Sequence, residues 1–171
     1  MNIALIGFRG TGKTTAARLL AKKLDKRLVS TDEEIEEKAG MRIISLVKKY
    51  GWERFREIES EVVERLRNYD DCVFDTGGGV VASKENAASL KKSSLIILLT
   101  AEIGVIEKRM RQGKRRPALT KLGVIGEIKK IMQEREQSYK KAADYTIDTS
   151  GITPEETCNL IINYINFKAK H

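Results

Sequence analysis

The chain has 171 residues, enough for one domain with a substantial core and too few for a second of ordinary size. Charged residues make up 33% and aromatics 6%, and the longest apolar run, Leu95–Leu99, is far too short to span a bilayer. Two isolated cysteines, Cys72 and Cys158, and a single histidine, His171, argue against zinc and against a disulfide framework; with no leader ahead of the first strand, the expected location is the cytoplasm.

The first predicted strand, residues 2–6, carries Ile3-Ala4-Leu5-Ile6 and runs into Gly7-Phe8-Arg9-Gly10-Thr11-Gly12-Lys13-Thr14, a complete match to G-x-x-x-x-G-K-[ST]. A helix follows from near Lys13, with Ala16, Ala17, Leu19, Leu20 and Leu24 on one face. In that setting the glycines let backbone N–H groups turn inward around an anion, and the helix adds the positive end of its dipole. Lys13 is expected to reach the outer phosphates and the Thr14 hydroxyl to ligate Mg²⁺. Gly10, Thr11, Gly12, Lys13, Thr14 and Thr15 are thus the residues expected to hold a nucleoside triphosphate.

The second predicted strand, 27–31, leads into Ser30-Thr31-Asp32 and the acidic helix Glu33-Glu34-Ile35-Glu36-Glu37. Asp32 suits a helix N-cap, a hydrogen-bond acceptor for a substrate hydroxyl, or both. A helix over 52–67 follows, with Trp52, Phe55, Ile58, Val62 and Leu66 on its apolar stripe. Arg56 lies beside that stripe and reads as a surface partner of Glu53 or Glu59. The third strand, 71–75, passes from Cys72-Val73-Phe74-Asp75 into Thr76-Gly77-Gly78-Gly79. Three consecutive glycines cost backbone entropy and make sense where a ligand lies against bare backbone.

A fourth strand spans 94–100. The net charge of +8 then concentrates in residues 108–121, where Lys108, Arg109, Arg111, Lys114, Arg115, Arg116 and Lys121 occur without a carboxylate. Such a block serves as a nucleic-acid patch, a solvated face or a flap closing on phosphates. No aromatics interleave it to stack bases, and a phosphate loop is present, so the flap is preferred. In the helix predicted over 125–142, Ile128, Ile131, Met132, Tyr139 and Ala142 define the buried face, and Arg135 falls on it. A cation there must be paired or face a cleft: an anionic ligand, Asp32 or Glu59 would each satisfy it. A fifth strand at 144–149 precedes a last helix, which Thr153, Pro154 and Glu156 mark with a cap, a first-turn proline and a capping-box acid. Strands alternating with helices imply a parallel sheet covered on both faces, with ligands beyond the carboxyl ends of its strands.

Taken in order, these stations resemble the shikimate kinase family, within the P-loop nucleoside-monophosphate-kinase-like fold. The resemblance covers nearly the whole chain. It rests on Gly7–Thr14, Thr31-Asp32 with Ile35-Glu36, Phe55-Arg56 with Ile58-Glu59, Gly77-Gly78-Gly79, Arg116-Pro117 with Leu119, and Arg135 with Tyr139. It implies a single three-layer α/β domain over 1–171, with a five-stranded parallel sheet of order 2-3-1-4-5, acceptor-binding helices at about 32–67 and a lid at about 110–124. It implies ATP-dependent phosphorylation of shikimate to shikimate 3-phosphate in aromatic amino-acid (chorismate) biosynthesis, by a monomeric enzyme using Mg²⁺ and engaging neither nucleic acid nor membrane. A gluconate- or nucleotide-type kinase, or a nucleotide-binding regulator without catalysis, is the alternative.

By the same resemblance Asp32, Arg56, Gly78, Gly79 and Arg135 hold shikimate, with the two arginines on its carboxylate and Asp32 on a ring hydroxyl as orienting group or base. Lys13, Asp32 and Arg116 are the catalytic residues. Arg116 closes over ATP, Arg109 stacks on adenine, and residues 150–154 border the same base. The chain departs from the family pattern at Ala118, where a leucine is usual, and at Ser30, where the family places the first carboxylate of Asp-x-Asp. Asp75 closes a strand that in the family ends in a small neutral residue. The expectation is that the missing carboxylate has moved to Asp75, next to Thr14, as a metal ligand; satisfying backbone N–H groups of the glycine turn is its other reading.

Overall fold

Side chains of successive strand residues point to opposite faces, and in this chain that alternation sorts the protein into layers. The structure is a computed structural model and describes residues 1–112 and 124–170. Most of the expected lid, Arg116 included, lies outside the described residues.

Five parallel strands form one sheet in the order β2-β3-β1-β4-β5: β1 (Asn2–Ile6), β2 (Arg27–Ser30), β3 (Cys72–Asp75), β4 (Ser94–Thr100) and β5 (Tyr145–Asp148). This is the expected order, and the layers packed around it follow from burial. Ile3 and Leu5 join Val73, Ile97 and Leu99 on one face, against Ala16, Ala17 and Leu20 of α1 (Lys13–Leu24) and Cys158 and Ile161 of α7 (Pro154–Lys170). Ala4 and Ile6 join Phe74, Ile96 and Leu98 on the other face, under α3 (Ile43–Leu66), α4 (Lys84–Ser93) and α6 (Val124–Ala142). Strands buried on both faces read as continuous apolar runs, the pattern of β1 and β4.

Two elements differ from expectation. The chain leaves the second strand one residue early, because Ser30 rather than Asp32 caps α2 (Thr31–Ala39): the Ser30 hydroxyl accepts the backbone N–H of Glu33 at 3.3 Å. Asp32 therefore lies inside the first turn, where its charge suits the helix dipole and its carboxylate is not the cap. The helix expected at 52–67 continues back to Ile43 across a kink at Gly51, whose φ of 83° and ψ of 171° a residue with a side chain rarely adopts. This α2–α3 pair packs its own small core around Ile35, Leu46, Phe55, Ile58 and Val62, beside the main sheet. The last helix starts as expected, with Thr153 and Glu156 each accepting the other's backbone N–H.

Candidate active site

A cleft of about 1170 Å³ opens at the carboxyl edge of the sheet. Its floor is the loop from Arg9 to Thr15, and its walls include Asp32, Asp75, Arg109, Thr149, Ile152 and Pro154. Gly10, Thr11, Gly12, Lys13, Thr14, Thr15 and Arg109, all expected at the nucleotide, thus line one cavity. The loop can turn so tightly because Gly10 and Gly12 hold φ of 81° and 93°. Gly7 has a further reason to be glycine, since a Cβ there would overlap the Leu99 carbonyl. Lys13 is buried, and its ammonium donates to the Gly7 and Phe8 carbonyls at 2.8 and 3.0 Å. Its charge is thereby held at the mouth of α1, where the dipole also favours anions.

Arg109 reaches back across the cleft. Its guanidinium donates to Thr149 Oγ1 at 2.9 Å, to the Thr149 carbonyl at 2.8 Å and to the Gly10 carbonyl at 3.3 Å. The buried Thr149 hydroxyl in turn lies within hydrogen-bond distance of the Thr11 and Thr100 carbonyls, to which it offers its single proton. Thr149 went unnoticed in the sequence, and only its place at the end of a strand could have flagged it.

The second group of expected residues gathers around the glycine triplet. A Cβ on Gly77 would lie 3.2 Å from Asp32 Oδ1 and 3.2 Å from Glu59 Oε1, and a Cβ on Gly79 would overlap the Arg56 guanidinium. On the far side Arg135 donates to the Gly78 carbonyl at 2.9 Å, and the Tyr139 hydroxyl donates to the same oxygen. Burial holds the Tyr139 phenol above its ordinary pKa, so it stays a donor. Asp32, Arg56, Gly78, Gly79 and Arg135 are therefore neighbours, and Asp32 belongs to both this group and the phosphate cleft.

Arg56 does make the ion pair that its spacing allowed, but not on the surface. It bonds Glu59 Oε2 at 2.5 Å, and the Glu59 side chain is 1% exposed. Arg56 keeps a third of its side chain open, so the pair leaves the cation available while fixing its direction. Desolvation raises the Glu59 pKa and Arg56 only partly opposes it. A carboxyl whose folded-state pKa is raised contributes stability that is full below its unfolded value, about 4.3, and is lost as pH rises through the folded value. Glu59→Gln should therefore melt closer to wild type, or above it, at pH 8 than at pH 5. The same variant should weaken binding of the acceptor expected at Arg56, because Arg56 loses its anchor. Thermal melts of both proteins across that range check the sign; a gap that widens with rising pH would contradict it.

At the strand ends, Asp75 pairs in register with Ser30 on β2 and with Leu5 on β1. Asp75 lies two residues after Val73, and Ser30 one after Val29, so both face the α1 side. A strand spacing of about 4.8 Å separates such positions. Asp75 shares the cleft with Thr14.

A P-loop strand–loop–helix at the carboxyl edge of a 2-3-1-4-5 parallel sheet, with basic and acidic groups facing the phosphate site, defines a phosphotransferase of the P-loop kinase class. Comparison with known proteins narrows this. Residues 9–166 match the shikimate kinase family model. The chain is 45% identical over 161 residues to the shikimate kinase of Thermodesulfovibrio yellowstonii, covering 94% of this chain and 92% of that protein. Among solved structures, the shikimate kinase of Acinetobacter baumannii in complex with shikimate superposes with a TM-score of 0.92 at 30% identity, over 98% of this chain and 93% of that one. The Aquifex aeolicus shikimate kinase gives 0.83 at 30% identity, over 99% and 98%. The chain belongs to the shikimate kinase family.

Proposed function

We infer that the protein transfers the γ-phosphoryl group of ATP to the 3-hydroxyl of shikimate, yielding ADP and shikimate 3-phosphate for aromatic amino-acid (chorismate) biosynthesis. The observation that carries the acceptor is the bracketing of Gly77–Gly79 by two guanidinium groups, Arg56 and Arg135, and by Asp32. Two cations beside bare backbone suit a small carboxylate, which guanidinium forks match. Asp32 orients the attacking hydroxyl and accepts its proton, standing where the acceptor group meets the phosphate cleft. Lys13 and the loop amides take up charge on the transferred phosphates, and Arg109 borders the nucleotide. Catalysis is thus positioning plus electrostatics. The role of Arg116, charge stabilisation from a lid at about 110–124, rests on the family resemblance alone.

The donor set at the strand ends suits Mg²⁺, a hard cation that prefers oxygen ligands: the Thr14 hydroxyl and the Asp75 carboxylate. Bound there, Mg²⁺ would neutralise charge on the β- and γ-phosphates. Asp75 takes this role because Ser30, its register partner, carries no charge and is engaged as a helix cap. Among the described residues no helix is long and apolar enough to cross a membrane; a cytoplasmic monomer that engages neither membrane nor nucleic acid is the reading that goes with this function.

The direct experiment is ADP release with shikimate, gluconate and nucleoside monophosphates side by side. Turnover of another acceptor and none of shikimate would overturn the assignment, and nucleotide binding without any turnover would favour a regulator. Arg135→Ala should raise the KM for shikimate roughly 10–100-fold, the worth of one or two charge-assisted hydrogen bonds, with a smaller effect on the KM for ATP.

A further inference from the structure

Arg9 and Glu127 form an ion pair that phosphoryl transfer does not itself call for. Arg9 belongs to the phosphate loop and Glu127 to the first turn of α6, 118 residues away. Arg9 Nη2 donates to Glu127 Oε1, with the side chains 17% and 5% exposed. A carboxylate so buried needs a cation beside it. Arg9 Nε is itself buried with no hydrogen-bond partner among the described residues, so the guanidinium forgoes one bond in the pose that meets Glu127. Both residues line the phosphate cleft. Beside them Phe8, Ile106, Ile128 and Ile131 pack the loop against α6 and α5 (Ile103–Gln112).

The same helix meets the loop a second time through the glycine turn. A Cβ on Gly78 would stand 3.2 Å from the Arg9 backbone nitrogen, and the Gly78 carbonyl accepts Arg135 and Tyr139 of α6. Phosphate loop, glycine turn and α6 thus close a ring of contacts, with Arg9–Glu127 at one end and Arg135 at the other. We propose that the Arg9–Glu127 pair is a positioning clasp that sets α6 against the phosphate loop, so that filling the loop with nucleotide phosphates aims Arg135 at the acceptor. Neither residue touches substrate in this scheme. Their effect is to couple the two sites, and by linkage the coupling is reciprocal: nucleotide tightens shikimate as much as shikimate tightens nucleotide. The inference rests on the shikimate kinase reading.

The test uses the full chain and measures shikimate affinity by calorimetry, with and without a non-hydrolysable ATP analogue and Mg²⁺. Wild type should gain affinity within the roughly 5- to 150-fold range usual for coupled sites. In Arg9→Met and in Glu127→Gln that gain should fall to within about twofold of none, the loss of the coupling free energy. Arg9→Met keeps an unbranched apolar stem for the Phe8 cluster, and the swap Arg9→Glu with Glu127→Arg should restore coupling. Variants that melt earlier but keep the full gain would overturn the clasp, as would a folded charge swap that stays uncoupled or a wild type without gain. If wild type neither binds nor phosphorylates shikimate, the acceptor assignment fails instead. The clasp is then judged on nucleotide affinity, which both single variants must weaken and the swap must recover.

Discussion

Lys13→Met should lower kcat with shikimate and ATP by about 10³-fold, the scale expected when one preorganised charge donor is removed from a transferring group. Methionine preserves most of the aliphatic stem, so the substitution removes chiefly the ammonium. That ammonium bonds the Gly7 and Phe8 carbonyls, which keeps it buried at the mouth of α1. On the proposed function the ammonium exchanges these carbonyls for phosphate oxygens within the same loop, so that a cation would stand close to the charge developing on the γ-phosphoryl group. Nucleotide affinity should fall less than turnover, because the loop amides and the helix dipole remain. Steady-state kinetics with calorimetric binding of ADP separates the two effects. A kcat within tenfold of wild type would remove Lys13 from the catalytic machinery.

Asp75→Asn should weaken Mn²⁺ binding in the presence of ADP on the order of 10–100-fold, the usual cost of altering a group that holds or orients a metal, and turnover should fall with it. Asparagine keeps the shape and one acceptor oxygen, so a bond accepted from the glycine turn can survive while the charge does not. The decisive arm is the double variant Asp75→Asn with Ser30→Asp. Residues 30 and 75 are register partners on adjacent parallel strands and face α1 together. A carboxylate returned to position 30 should recover much of the Mn²⁺ affinity and can still cap α2, since aspartate is a good N-cap. Electron paramagnetic resonance of bound Mn²⁺ reads affinity independently of turnover. Unchanged Mn²⁺ binding in Asp75→Asn would mean that this carboxylate serves the backbone of the glycine turn instead.

The parts of this protein written in its sequence are those set by short-range physics. The pattern Gly7–Thr14 fixes a loop whose positive φ values at Gly10 and Gly12 only glycine adopts cheaply. The pairing of Thr153 with Glu156 fixes a helix start within one turn. Apolar runs marked all five strands to within a residue or so, and the family pattern supplied their order. Even so, the cap of α2 was misplaced, because Ser30 and Asp32 are both capping residues and only the path of the chain leaving β2 selects one.

Tertiary structure decided what each charge meets. Arg56 could pair with either of two glutamates at helical spacing, and it meets Glu59 because Phe55 and Ile58 turn that face of α3 into a core. Arg135 was open to an anion, Asp32 or Glu59, and it meets the Gly78 carbonyl, which no side-chain pattern announces. Arg9 and Glu127 stand 118 residues apart and carried no mutual signal at all. Backbone conformation depends on neighbours within a few residues, so it is legible locally. The partner of a buried charge depends on which helices the sheet order brings over one strand end, and on how much water that packing removes.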